Sequence, residues 1–110
     1  MSYKISIIEG DGIGHEIVPA ALKVLEHTGL SFEWDFVLAG EKAVEEYQTP
    51  VPDSTIESIL SNKLALKGPL TNLVARGWPS PNVMLRKNLG LFAAVKRARY
   101  FEGVGSPFKN

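Results

Sequence analysis

The chain has 110 residues, 45% hydrophobic and 22% charged, with no cysteine. That is one domain or part of one, globular rather than disordered, without a disulfide scaffold, a thiolate metal site or an apolar run of membrane-spanning length. The formal net charge of zero hides a poor mixture: residues 1–60 hold eleven Asp/Glu against three Lys/Arg, net −8, and residues 61–110 hold nine Lys/Arg against one Glu, net +8.

Tyr3 to Ile8 reads as a buried strand, because Ile5, Ile7 and Ile8 are β-branched. Gly10, Gly12 and Gly14 follow as a tight turn. A helix is expected from about His15 to His27, with Ile17, Val18, Ala21, Leu22 and Leu25 at helical spacing, Pro19 in its first turn or so and Gly29 as C-cap. Phe32, Trp34, Phe36 and Leu38 alternate with Glu33, Asp35 and Val37, which predicts a strand with one strongly apolar face. Glu41 to Tyr47 reads as a short solvated helix, broken by Thr49-Pro50-Val51-Pro52. Asp53 or Ser54 is expected to cap the next helix, which runs through Leu60, with Glu57 completing a capping box for Ser54. Leu64 to Leu66 is a short strand, Asn72 to Pro79 is irregular, and Pro81 to Leu89 is helical and ended by Gly90. Phe92 to Phe101 reads as a last strand and Gly103 to Asn110 as an extended tail. The order is that of an α/β fold with a largely parallel sheet and flanking helices, in a single unit over residues 1–110.

Two segments carry chemistry. Gly10 to Gly14 lies between a strand and a helix, where backbone amides can approach an anion or a cofactor. Its spacing is G-x-G-x-G, not the dinucleotide fingerprint, and Asp11 sits poorly beside a phosphate; a plain tight turn is the competing reading. The second segment runs from Lys67 to Arg86. Arg86 offers a bidentate fork for a carboxylate, Ser80 and Asn82 offer neutral donors at a helix start, Lys67 adds a point charge and Thr71 a hydroxyl. Asn82 and Arg86 stand at i and i+4 and share a helix face. Such a set suits a small polycarboxylate; a solvated basic helix is the alternative. The remaining acids, Glu45, Glu46, Glu57 and Asp53, show no convergence, so no metal site is expected in this chain. The basic half is expected to face anionic ligands and to pair with the acidic half, and nucleic-acid binding is not expected, since its aromatics form no RNA-binding motif.

The strings Glu9-Gly10-Asp11-Gly12-Ile13-Gly14-His15-Glu16 and Lys67-Gly68-Pro69-Leu70-Thr71, the latter followed by Ser80-x-Asn82-x-x-x-Arg86, resemble the opening part of the isocitrate/isopropylmalate dehydrogenase family. The loop Ala75 to Asn82 is most similar to the NAD-dependent isocitrate or homoisocitrate type. The resemblance implies a partial isopropylmalate-dehydrogenase-like fold and an enzyme that oxidises and decarboxylates a 2-hydroxy acid with NAD or NADP and Mg or Mn. It implies that Ser80, Asn82 and Arg86, with Lys67, contact the hydroxy acid, and that Gly12, Ile13, Thr71 and Asn72 lie by the nucleotide.

Some positions depart from the family pattern. His15 replaces a proline, Asn72 stands where a second threonine is common, and Lys96-Arg97 occupies a strand position that usually reads Arg-Pro, so Lys96 takes the place of the second substrate arginine without its fork. The third arginine, the tyrosine acid, the lysine base and the metal aspartates implied by the resemblance fall beyond residue 110. The expectation is therefore a truncated dehydrogenase homologue without activity alone, cytoplasmic because no signal-peptide pattern opens the sequence, and prone to self-association. A stand-alone binding or inhibitory protein acting on a protein partner is the alternative.

Overall fold

A computed structural model describes residues 1–107. Three parallel strands form the sheet: β1 (Ser2–Ile8) lies between β2 (Ser31–Phe36) and β3 (Ala65–Lys67). Tyr3 is opposite Phe32 and Ile7 opposite Phe36 on one side, and Ile7 is opposite Leu66 on the other. Side chains alternate across a strand, so the neighbours Ile7 and Ile8 enter different cores. Ile7 packs with Val18 and Leu22 of α1 (Gly14–Glu26), flanked by Leu25, Trp34 and Leu66. Ile8 packs with Ala39, Val51, Ile59 of α3 (Asp53–Asn62) and Leu85 of α4 (Pro81–Asn88). Both faces of the central strand are therefore covered, as a parallel sheet requires. Between β2 and α3 lies α2 (Glu41–Tyr47), whose Ala43 is buried.

A polar network ties α3 to the sheet. Ser58 Oγ donates to Asp35 Oδ2 at 2.7 Å, and Asn62 Nδ2 donates to the same oxygen at 2.9 Å and to Ser6 Oγ at 2.8 Å. Ser6 is fully buried on β1 and meets Ser58 Oγ at 2.6 Å. These donors hold the Asp35 carboxyl below the usual carboxylate range, Ser58 most and Asn62 next, aided by Lys4 and opposed by burial.

Several expectations need correction. Pro19 stands inside α1, beyond the first turn. Neither Asp53 nor Ser54 caps α3: the helix starts at Asp53 with Pro52 as N-cap, so both side chains lie within the first turn and no side-chain cap bond or capping box forms. Thr55 is the residue that anchors this end, its Oγ1 donating to Leu38 O at 2.6 Å. The apolar face of β2 is only partly covered, with Phe36 58% exposed, and the strand ends there rather than at Leu38. The strand expected from Phe92 to Phe101 is absent. Phe92 is fully exposed and Val95 nearly so, because an apolar segment makes a strand only where a sheet edge pairs with it, and β3 offers three residues with no partner on its outer side among the described residues. Of the tail expected over Gly103 to Asn110, residues 108–110 lie outside the described part. Charge pairing between the halves amounts to one ion pair among the described residues, Arg76 with Glu41 at 3.2 Å. No helix among them is long and apolar enough to cross a membrane.

Candidate functional site

The strand order creates the site. From β1 the chain turns to α1 on the Ile7 face, and from β3 it leads to α4 on the Ile8 face. Loops leaving adjacent strands toward opposite faces open a crevice at the carboxyl ends of the strands, the usual ligand position in such sheets. Here the two loops are cross-linked. Gly68 N–H donates to Ile8 O at 2.8 Å and Asp11 N–H to Pro69 O at 2.8 Å. Glycine is needed because the backbones touch: a Cβ on Gly10 would lie 2.1 Å from Pro69 O, and one on Gly68 2.1 Å from Glu9 O.

On the Ile8 side of this crevice a cleft of about 230 Å³ is lined by Lys67 from the end of β3, Asn82 and Arg86 from α4, and an apolar floor that includes Ile8, Ile59 and Leu85. The i, i+4 spacing does place Asn82 and Arg86 together, because Leu85 is buried and fixes the rotation of α4. Lys67 Nζ donates to Gly68 O at 3.0 Å. Burial pulls the Lys67 ammonium below the usual lysine range, and the nearby Arg86 charge pulls it further. Among the described residues neither cation has an acidic partner. The cleft thus holds two positive charges, an amide and no anion.

Ser80 is the N-cap position of α4, half-buried and not on the cleft lining. Lys96 is exposed on the unpaired segment and does not reach the cleft lining. Gly12 and Ile13 are exposed on the turn before α1, and Gly12 has open space where a Cβ would stand. Thr71 and Asn72 are exposed too; Asn72 Oδ1 accepts from Val74 N–H at 3.2 Å, closing a local turn. Thr71 is brought to the glycine turn by its backbone, whose N–H donates to Asp11 Oδ2 at 2.8 Å. His15 is an exposed helix-start residue whose Nδ1 lies 2.9 Å from Glu9 Oε2. Among the described residues no three His, Asp or Glu gather in a group able to hold a metal ion, so the divalent metal implied by the resemblance does not fit these side chains and no step is derived through it.

Asp11 is the functional-site residue that sequence reasoning missed. It is buried, and its second oxygen, Oδ1, accepts Glu41 N–H at 3.0 Å. Both partners lie far along the chain, so no local pattern announces them; an acid between two turn glycines was the one available signal.

The sequence and the fold both match known proteins. The family model for isocitrate/isopropylmalate dehydrogenase matches residues 4–110. Isocitrate dehydrogenase [NADP] of Haloferax volcanii is 46% identical over 96% of this chain and 26% of the relative. Subunit 2 of the mitochondrial isocitrate dehydrogenase [NAD] of Saccharomyces cerevisiae is 39% identical over 98% of this chain and 29% of its own length. In structure, isocitrate dehydrogenase from Methylococcus capsulatus superposes with a TM-score of 0.76 and 52% identity, over 81% of this chain and 26% of that one. A beta-decarboxylating dehydrogenase from Thermococcus kodakarensis superposes at 0.73 with 30% identity, over 82% and 27%. The chain therefore spans about a quarter of the length of these relatives.

Proposed function

The chain belongs to the isocitrate/isopropylmalate dehydrogenase family, and we propose on that footing that it forms, as one α/β unit, the portion of a nicotinamide-dependent decarboxylating dehydrogenase that grips the carboxylates of a 2-hydroxy acid. The observation that carries this reading is the cleft in which Lys67, Asn82 and Arg86 converge over an apolar floor with no acid to neutralise them. A di- or tricarboxylate supplies the missing charge. Arg86 takes one carboxylate through two parallel N–H bonds, Asn82 donates to a neighbouring oxygen, and Lys67 exchanges its bond to Gly68 O for the ligand. Ser80, at the open end of α4, adds a donor near a helix N-terminus. Lys96 joins the site only if the segment around it folds back from its exposed path.

On the other side of the crevice, Gly12, Ile13, Thr71 and Asn72 form the surface assigned to the nicotinamide end of the cofactor. A bound cofactor would accept the hydride from the hydroxyl carbon. The relatives carry both NAD and NADP in their names, so the proposal takes either rather than NAD alone. Proton abstraction needs a base near the hydroxyl, and no described residue on the cleft lining is an acid or histidine; turnover by this chain alone is not expected. The exposed apolar residues from Leu91 to Val104 are where self-association, or packing by further polypeptide of such an enzyme, is proposed.

The test is calorimetric titration of the 110-residue chain with isocitrate, alongside turnover with NAD or NADP and Mg²⁺. Saturable binding that Arg86→Ala removes, without turnover, supports the reading. Unchanged binding in Arg86→Ala overturns the site, and turnover by the chain overturns its dependence on residues elsewhere.

A further inference from the structure

We infer that Asp11 is a positioning residue: its carboxylate fixes the Lys67 to Arg76 loop against the glycine turn, and so sets where Lys67 and Thr71 stand relative to the cleft. The argument starts from topology. The loops after β1 and β3 leave toward opposite faces, and beyond Gly68 N–H to Ile8 O the sheet ladder does not hold them together. Asp11 supplies the cross-tie twice. Its main-chain N–H donates to Pro69 O at 2.8 Å, and Oδ2 accepts Thr71 N–H at 2.8 Å. Its other oxygen accepts Glu41 N–H at 3.0 Å, at the first residue of α2. Glu41 Oε1 in turn lies 3.2 Å from Arg76 Nη1. The loop is thus held at Thr71 by Asp11 and at Arg76 by the helix that Asp11 anchors.

The residue type is dictated. Two N–H groups face two oxygens, so the acceptor must be a carboxylate; an amide would turn an NH₂ against one of them. The carboxylate in turn requires glycine beside it: a Cβ on Gly40 would lie 2.4 Å from Asp11 Oδ2. With the side chain buried, water cannot replace the lost acceptor.

Hydrogen exchange on the ¹⁵N-labelled chain tests this without any ligand. In the unaltered chain, the Thr71 and Glu41 amides should exchange at least about tenfold more slowly than Asn72, whose N–H has no acceptor among the described residues. In Asp11→Asn, exchange should speed about tenfold or more at Glu41, Thr71, Val74 and Arg76, the loss expected for a bond to a charged acceptor, while Val18 and Leu22 of α1 stay within about twofold. Equal rates at Thr71 and Asn72 in the unaltered chain overturn the inference even if the variant does not fold. So does unchanged exchange in the variant, or a loss spread evenly over α1 and β1. The ligand arm rests on the proposed carboxylate site: isocitrate affinity should fall about tenfold in Asp11→Asn. If the unaltered chain binds no isocitrate, that site reading fails, and the exchange comparison still decides the role of Asp11.

Discussion

Replacing Gly68 by alanine probes the contact on which the crevice depends. The backbone at Gly68 lies outside the left-handed region, so the substitution carries no conformational strain of its own and its cost is steric. The new Cβ would lie 2.1 Å from Glu9 O and 2.9 Å from Val18 Cγ2. A carbon and a carbonyl oxygen need more than about 3 Å, so the two strand ends must part by about 1 Å. That movement strains the 2.8 Å bond from Gly68 N–H to Ile8 O. Overpacking of this kind costs about 1–3 kcal/mol, and a weakened backbone bond adds about 1 kcal/mol. The sum of about 2–4 kcal/mol is a large part of the total stability of a small chain. At about 4–8 °C per kcal/mol, the melting temperature should fall by about 10 °C or more. Thermal melting followed by circular dichroism measures that fall and urea denaturation the free-energy cost, with Gly12→Ala as the control. Gly12 has open space but a φ of +55°, so alanine there should cost only about 1 kcal/mol. If Gly68→Ala costs no more than Gly12→Ala, the two loops are not packed as described.

Four further outcomes follow from the charges and the exposed segment. Arg86→Ala should raise the basicity of Lys67, since the Arg86 charge is the second cause of its depression; NMR titration of the Lys67 Nζ signal measures this, and an unchanged midpoint means that the two cations do not share the cleft. Because folding lowers the Lys67 pKa, the unfolded chain binds the extra proton, and stability should climb with pH in the window just below the ordinary lysine value of about 10.4; urea midpoints of Lys67→Met should lack that rise. Asp35 works in the opposite limb: its folded carboxyl lies below the ordinary value, so its contribution is complete above about pH 3.9 and fades as pH falls through the lower folded value, and Asp35→Asn should show a flatter acid limb in the same measurement. Trypsin should cut first after Lys96, Arg97 and Arg99, which are exposed without secondary structure, and cleavage first at Lys23 in α1 would mean that the segment is paired after all.

The elements legible in the sequence are those whose cause is local. Ile5, Ile7 and Ile8 announce β1, and the spacing of Val18, Leu22 and Leu25 announces α1, because burial on one face repeats with the period of the structure itself. The partnership of Asn82 and Arg86 was legible for the same reason. The missed features depend on partners the sequence does not name. Phe92 to Phe101 reads as a last strand, yet a strand is defined by its neighbour, and the edge beside β3 has none among the described residues. The capping box at Ser54 failed by two residues of register: Pro52 already provides the N-cap, so Asp53 begins the helix and Ser54 can no longer cap it. Asp11 is the sharpest case. Read by charge alone beside an anion, an acid in a glycine turn argues against a binding role. Read by its hydrogen bonds, it holds in place a loop whose end bears Lys67. Both facts fit one arrangement, because the carboxylate is turned inward, where its acceptors are spent on Thr71 and Glu41 and it remains buried from the crevice. A negative charge can sit next to an anion site without opposing it when two backbone dipoles already face that charge.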